Sequence, residues 1–155
     1  MYSFTGNEYI EKAVENYSDA MLNAAYSILK STADAEDVVQ EAFLKYIRKK
    51  PVFNSDEHEK AWLIRVTINC SKNLLNSSFL KNTTEMKEDI AFETKERHDI
   101  YYAVQDLPIK YRTIIYLFYY EGYKINEISK ILKMNENTIK ARLRGKEKAK
   151  ITVKK

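Results

Sequence analysis

Apolar residues recur every three or four positions along the first half of the chain. Between residues 8 and 30 this spacing predicts one amphipathic helix. Its apolar positions are Ala13, Tyr17, Ala20, Met21, Ala24 and Ile28. A second helix is predicted from residue 32 or 33 to residue 49 or 50, because three acids stand in its first turn and Pro51 follows its end. A third helix is predicted over about residues 57–77.

The helical spacing is lost over residues 77–93, which are polar and mixed in charge and are predicted to form a linker. Further helices are predicted near residues 94–106, 108–121, 124–132 and 136–150. The chain has only three Gly and two Pro, which are common turn residues, so few strands could be joined by β-hairpins. The predicted fold is all-α, with two small helical domains that we expect to move independently. The expected boundaries are 1–78 for the first domain, 79–93 for a flexible linker and 94–155 for the second domain.

The second domain is predicted to contain a helix-turn-helix over Glu127–Lys140. Its first helix would bury Ile128, Ile131 and Leu132, and Asn135 would cap the next helix by accepting from backbone N–H groups. Ile139 and Leu143, four residues apart, would face the core. The other face of the second helix is polar and cationic, so it suits phosphates and base edges of DNA, although a solvated basic helix at the end of a bundle would show the same pattern. Its residues are Asn137, Thr138, Lys140, Ala141, Arg142 and Arg144.

Two further helix faces are candidates for binding. The second helix places an acid, an amide, a second acid and an apolar residue at i, i+3, i+4 and i+7, which fits either an ordinary polar surface or a docking face. These residues are Asp37, Gln40, Glu41 and Leu44. The third helix has a face of three amides and two cations without an acid, a composition suited to a DNA strand. That face contains Arg65, Asn69, Lys72, Asn73 and Asn76.

Charge and composition narrow the function further. The chain has a net charge of +4, and its residues from Pro108 onward carry 13 Lys/Arg against four Asp/Glu, so a polyanion is the expected partner of the C-terminal end. The single Cys70 excludes an internal disulfide and is expected to be a small buried residue. The N-terminus lacks a signal-peptide pattern, and no apolar run could cross a bilayer, so we expect a soluble cytoplasmic protein.

No enzymatic site is predicted. His58 and His98 are isolated, and the chain has no glycine-rich phosphate loop. The acids near residue 34 are explained by their position at a helix start. We therefore expect no catalytic residue, no metal site and no cofactor.

Two motifs together suggest a family. The segment "LPIKYRTIIYLFYYEGYKINEISKILKMNENTIKARL" closely resembles the promoter-recognising C-terminal domain of bacterial sigma factors. The segments "DAEDVVQEAFLKYI" and "EKAWLIRVTIN" resemble the N-terminal core domain of the same proteins. Their order and spacing resemble the two-domain extracytoplasmic-function (ECF) group of the sigma-70 family, and this resemblance covers almost the whole chain.

The resemblance implies a partner for each candidate face. Asp37, Gln40, Glu41 and Leu44 would dock on the clamp of core RNA polymerase. The third helix would bind the non-template strand of the minus-ten element, and Trp62 joins the face defined above. The cationic face at residues 137–144 would recognise the minus-thirty-five element as duplex DNA. Members of this group are commonly held by an anti-sigma factor, often membrane-anchored, so the resemblance implies such a partner too.

The chain also departs from the family pattern. An Asp and a basic residue are common where Asn73 and Asn76 stand, which leaves the promoter preference open. Lys133 stands at the helix-turn-helix corner, where glycine is favoured because a left-handed backbone costs other residues about 1 kcal/mol. Gly145 replaces a basic residue, so we expect the recognition helix to fray or shorten near Arg144. Two alternatives stay open: a stand-alone helix-turn-helix regulator, and a degenerate sigma homologue that only sequesters a partner.

Overall fold

The computed structural model describes residues 8–81 and 107–149, with side chains over 8–77 and 107–144. Every regular element in these residues is helical, which confirms the all-α fold. In chain order the elements are α1 (Glu8–Leu29), α2 (Thr32–Lys49), α3 (Asp56–Lys81), α4 (Ile109–Ile115), a π-helical segment (Tyr116–Tyr120), α5 (Ile125–Leu132) and α6 (Glu136–Ala149). These bounds agree with the predicted helices, except that α3 extends four residues beyond the expected end at Ser77. The helix expected near 94–106 lies outside the described residues.

The first three helices pack with their apolar faces against one another. Ser31 caps α2, because its Oγ accepts a hydrogen bond from the backbone N–H of Asp34 at 3.2 Å. The helix ends where Lys50 adopts a left-handed conformation and donates its N–H to the carbonyl oxygen of Tyr46. The buried cluster formed by the three helices comprises Ala13, Tyr17, Met21, Val39, Ala42, Phe43, Tyr46 and Leu63.

A second buried cluster joins the two halves of the chain. It contains Ile28 from α1 and Ile68 from α3, together with Leu117, Ile128 and Ile139 from the C-terminal half. In this structure the two halves are therefore packed against each other, and the independent mobility of the two domains stays a prediction. The physical reason is that α4, α5 and α6 are too short to cover their own apolar faces. The apolar side chains of α1 and α3 supply the missing cover.

The helix-turn-helix forms as predicted, except that Leu132, which was expected to be buried, is only half-buried. Ile128 and Ile139 are fully buried and Leu143 is 8% exposed. The Oδ1 atom of Asn135 accepts from the backbone N–H of Asn137 at 2.8 Å, which confirms the predicted cap, and Ser129 Oγ donates to the carbonyl oxygen of Met134 at 2.6 Å. The backbone stays helical through Gly145 to Ala149, so the expected break near Arg144 is wrong. A single glycine costs only about 1 kcal/mol, which a helix can absorb.

The corner confirms the expected strain at Lys133. This residue has φ 58° and ψ 49°, in the left-handed region, and its N–H donates to the carbonyl oxygen of Ser129. Lys133→Gly should raise the free energy of unfolding by about 0.5–1 kcal/mol, because the left-handed penalty exceeds the extra entropy of glycine in the unfolded chain. Urea denaturation measures this change. Lys130→Gly, inside α5, is the matched control and should lower stability by about 1 kcal/mol; equal losses in both variants would contradict the explanation.

Candidate polymerase and nucleic-acid interfaces

The predicted docking face lies on the exposed side of α2. Asp37, Gln40, Glu41 and Leu44 are all exposed, and the Leu44 side chain keeps 52% of its accessible surface. The opposite side of α2 supplies the buried residues Val38, Ala42 and Tyr46. Charged and polar groups around one exposed leucine suit a docking face that must also stay soluble when it is unbound. The exposure of these four residues was predictable because burial in α2 follows the helical period, and their role in docking stays a prediction.

The predicted DNA-strand face lies along α3. Asn69, Lys72, Asn73 and Asn76 are exposed, in line with the pattern. Arg65 is only half-buried, yet its Nε atom is buried and has no hydrogen-bond partner within the described residues. The other side of α3 is buried, with the apolar residues Leu63, Ile64, Ile68 and Cys70 and the hydroxyl residues Thr67 and Ser71. Cys70 is 3% exposed, which confirms its predicted burial.

Two buried hydroxyl groups on α3 are satisfied within the helix. Thr67 Oγ1 donates to the carbonyl oxygen of Leu63 at 2.7 Å, and Ser71 Oγ donates to that of Thr67 at 2.8 Å. Such back-bonding removes the cost of burying the hydroxyls. Between residues 69 and 76 of α3, the exposed side chains are therefore those of Asn69, Lys72, Asn73 and Asn76.

Trp62 differs from the other residues assigned to the minus-ten face. It is half-buried in an aromatic cluster, with its ring centroid 5.7 Å from that of Tyr46 and 5.9 Å from that of Phe53. Phe53 belongs to the loop between α2 and α3, where the neighbouring Val52 is 88% exposed. The cluster fixes this loop beside the first turns of α3.

Next to this cluster, the carboxylate of Glu59 accepts hydrogen bonds from two tyrosines. Its Oε1 atom lies 3.4 Å from the hydroxyl of Tyr17, and its Oε2 atom accepts from the hydroxyl of Tyr46. Burial, and secondly the Glu59 carboxylate, raises the pKa of Tyr17 to about 12. Burial and the hydrogen bond to Glu59 also raise the pKa of Tyr46.

These pKa values predict a loss of stability in alkali. The unfolded chain releases its tyrosine protons near pH 10, whereas Tyr17 retains its proton to about pH 12 in the folded state. The folded state then binds more protons, so the free energy of unfolding should fall as the pH rises from 10 to 12. Urea denaturation across this range measures the slope. The double variant Tyr17→Phe, Tyr46→Phe should show a shallower slope, and an equally steep loss would contradict this origin.

The recognition face of α6 is accessible over most of its predicted extent. Asn137, Lys140, Ala141 and Arg144 are exposed, whereas Thr138 and Arg142 are half-buried. Ile139 and Leu143 anchor the opposite side in the core. The helix therefore presents amide and cationic groups outward, as an element that enters a DNA groove must.

A groove brings the two predicted DNA faces together. It is a cavity of about 280 Å³ between α3, α4 and the helix-turn-helix. Lys72 and Asn76 of α3 line it, as does Arg142 of α6, whereas none of the α2 docking residues does. Its apolar lining comes from Ile28, Leu75, Ile109, Ile114, Leu132 and Met134.

Sequence reasoning missed Lys110, which also lines this groove. One signal was present: Lys110 stands in the first turn of α4, which has no acidic residue, although the helix dipole disfavours a cation there. Among the described residues, no group of His, Cys, Asp or Glu could hold a metal ion. None of the helices in that part of the chain has the length and apolarity to span a bilayer.

Comparisons with known proteins agree with the order of these elements. The family model of Sigma-70 region 2 matches residues 13–78, and that of Sigma-70, region 4 matches residues 97–144. The RNA polymerase sigma factor SigV of Bacillus subtilis (strain 168) is 30% identical over 136 residues, which cover 84% of this chain and 81% of SigV. The ECF RNA polymerase sigma factor SigW of the same organism is 26% identical, over 86% of this chain and 83% of SigW.

Two solved structures are similar in fold. The sigma factor RpoE in complex with the anti-sigma factor NepR, from Bartonella quintana, superimposes with a TM-score of 0.75 at 20% identity, over 96% of this chain and 99% of RpoE. CnrH in complex with the cytosolic domain of CnrY superimposes with a TM-score of 0.64 at 22% identity, over 92% and 84% of the two chains. At these identities the likeness shows the fold.

Proposed function

The chain belongs to the ECF group of the sigma-70 family and is an RNA polymerase sigma factor for transcription initiation, and we propose that it performs this function through three separate surfaces. These are the docking face of α2, the strand-binding face of α3 and the recognition face of α6. The observation that carries the proposal is that all three faces are held outward by buried residues on the opposite side of the same helix. The division of surfaces suits a protein that contacts the polymerase and two promoter elements at once.

The docking face binds core RNA polymerase. Asp37 and Glu41 supply charge, Gln40 supplies a hydrogen-bonding amide, and Leu44 supplies an exposed apolar contact. Acids steer the encounter with a basic surface, and the leucine adds burial once the surfaces meet. The face lies away from the groove, so DNA and polymerase do not compete for the same side chains.

The two DNA faces bind DNA in different states. The amides of Asn69, Asn73 and Asn76 offer donors and acceptors to unpaired bases, and Lys72 offers charge to phosphates. Base capture by α3 lowers the cost of opening the minus-ten element. On α6, Lys140 contacts the minus-thirty-five element in the major groove, together with Asn137, Thr138, Ala141, Arg142 and Arg144.

The remaining partners follow from the family. RpoE and CnrH are solved in complex with NepR and with the cytosolic domain of CnrY, and an anti-sigma factor, membrane-anchored or soluble, is the corresponding partner of this chain. The protein acts in the bacterial cytoplasm, where the polymerase is, and without catalytic chemistry or a cofactor of its own. It contributes to initiation by binding the polymerase and the promoter DNA.

The alternatives are not favoured. A stand-alone helix-turn-helix regulator has no use for the N-terminal half, yet that half matches Sigma-70 region 2 over residues 13–78. A degenerate homologue that only sequesters a partner would not need an exposed recognition face, yet Lys140 and Arg144 are exposed.

Multi-round transcription tests the function directly. Purified core RNA polymerase is incubated with a library of upstream regions from the source genome, with and without the protein. We expect a small set of upstream regions to yield transcripts only when the protein is present. Core polymerase alone is the control. Transcripts that do not depend on the protein, or tight sequence-specific DNA binding without polymerase at physiological salt, would overturn the proposal.

A further inference from the structure

His58 is a titratable side chain that the proposed function does not use. It stands in the first turn of α3, three residues after Ser55, whose Oγ accepts a hydrogen bond from the backbone N–H of His58 at 3.1 Å. The imidazole turns back toward the preceding loop, and its Nδ1 atom accepts from the backbone N–H of Asn54 at 3.2 Å. The side chain is exposed, so protons from the solvent can reach it.

These two hydrogen bonds resemble a capping box in which histidine replaces the usual residue. In that motif a serine at the helix start accepts from the N–H three residues later, and a Glu or Gln at that later position accepts from the backbone before the helix. The oxygen of Glu or Gln remains an acceptor at neutral pH. Nδ1 of histidine accepts only while the imidazole is neutral, because both ring nitrogens are donors in the charged form. One proton on His58 therefore removes the hydrogen bond to Asn54.

The same imidazole contacts the ring of Phe53. The two ring centroids lie 5.1 Å apart in an edge-to-face arrangement, and the Phe53 centroid also lies 5.9 Å from that of Trp62. His58 and Trp62 are four residues apart on α3, so they lie on the same face of the helix. Phe53 therefore contacts both rings, and these contacts fix the loop at residues 50–55 against the start of α3.

The loop borders the strand-binding face of α3. Trp62 comes first among the residues of that face along the helix, and Arg65 and Asn69 follow it. When the hydrogen bond to His58 is lost, Phe53 is held less firmly and Trp62 loses a ring contact that orients it. Side chains that must be ordered during binding lower the affinity, whereas side chains that are already in place do not. A released loop should therefore capture a DNA strand less well.

We propose that His58 is a positioning residue for promoter opening: its neutral imidazole holds the loop at residues 50–55 against Trp62, and protonation releases the loop and slows opening of the minus-ten element. The inference rests on the proposed function and adds to it a dependence on pH. His58 acts through Asn54 and Phe53, without a contact to DNA of its own.

The other titratable groups around the loop are of different kinds. Imidazoles ordinarily titrate near pH 6.5, whereas carboxyl groups do so near pH 4 and phenols and amines near pH 10. The carboxylates at the start of α3 and the amines at the end of α2 are those of Asp56, Glu57, Glu59, Lys49 and Lys50. The phenols of Tyr17 and Tyr46 bond Glu59, and burial, before the Glu59 carboxylate, raises the pKa of Tyr17 to about 12.

Fluorescence of the free protein tests the hold on the loop. Trp62 is the one tryptophan of the chain, and we expect its emission to change between about pH 7.5 and about pH 6, where imidazoles take up protons. His58→Asn should abolish this change, because an amide oxygen can accept from the N–H of Asn54 at either pH. His98→Asn, at the other histidine of the chain, is the matched control and should keep the change. The same titration in His58→Asn as in the wild type would overturn the proposal.

The rate of open-complex formation measures the consequence for transcription. On a promoter identified by transcription, lowering the pH from about 7.5 to about 6 should slow the wild type about three-fold more than His58→Asn, as expected for the loss of one weak hydrogen bond. His58→Ala lacks the acceptor and should open the promoter slowly at both pH values. The comparison with His58→Asn removes the pH dependence of the polymerase itself.

The outcomes separate this inference from the function on which it rests. A wild type that yields no transcript from any upstream region at the higher pH would refute the proposed function, whatever its fluorescence does. A wild type that initiates with the same pH profile as His58→Asn would refute the role of His58 alone. A pre-melted minus-ten template should remove most of the difference between these two proteins, since unpairing then needs no driving force. An equal difference on both templates would overturn the assignment of His58 to opening.

Discussion

Reversing the charges at Asp37 and Glu41, together with Gln40→Ala, should abolish co-purification with core RNA polymerase. All three side chains are exposed, and none takes part in the buried clusters of the protein. Removing one member of a buried, hydrogen-bonded charge pair at an interface costs about 2–5 kcal/mol, and reversal adds repulsion. The combined loss is therefore expected to exceed a thousand-fold in affinity. Helix content by circular dichroism should stay unchanged.

The chain offers a matched control on α1. Glu11→Lys, Glu15→Lys and Asn16→Ala make the same change of charge and remove one amide at exposed positions. This control should co-purify with the polymerase as the wild type does, so a general effect of positive charge can be separated from loss of the docking face. Retained co-purification of the α2 variant would show that the polymerase binds a different face.

Helix positions and helix faces could be predicted because each depends on local spacing. Val38 and Ala42 are buried while Asp37 and Glu41 are exposed, since one period of 3.6 residues decides all four. Asn135 was predictable as a cap because the capping group lies two residues from the N–H that it accepts from. The left-handed corner at Lys133 followed from the family pattern and from backbone sterics.

The contact between the two halves could not be predicted in the same way. The spacing of Ile128 and Ile139 shows that both are buried, but it does not show that Ile28 and Ile68 of the other half bury them. The spacing of apolar residues identifies the buried face of a helix, but it does not show which other element covers that face. The packing of the two halves against each other could not be predicted for that reason.

The π-helical segment was also hidden from the pattern. Its residues lie within the run "TIIYLFYY", where nearly every position is apolar or aromatic. In a run that is apolar throughout, an α-helix with 3.6 residues per turn and a π-helix with about 4.4 residues per turn give the same sequence pattern. The wider turn therefore cannot be recognised from the sequence. The contacts of Glu121 with Tyr116 and with Lys60 depend on this π-helical turn.

Duplex and pre-melted templates should separate the roles of α6 and α3. Lys140→Ala should weaken promoter binding by roughly 1–3 kcal/mol if the side chain contacts a base edge. Lys140 is preferable to Arg142 for this test, because Arg142 also lines the groove. A template with a mismatched bubble over the minus-ten element should not repair the loss, since the missing contact lies upstream in intact duplex.

The double variant Asn69→Ala, Asn73→Ala should behave in the opposite way. Both amides are exposed on α3, and their loss should slow the formation of the open complex, because captured bases no longer offset the cost of unpairing. A pre-melted template should restore part of the rate, since unpairing then needs no driving force. Lys130→Ala and Asn16→Ala remove a charge and an amide from exposed positions outside both faces, and should initiate normally on both templates. If run-off transcription shows that the bubble rescues Lys140→Ala and leaves the α3 variant defective, the two faces have been assigned to the wrong states of DNA.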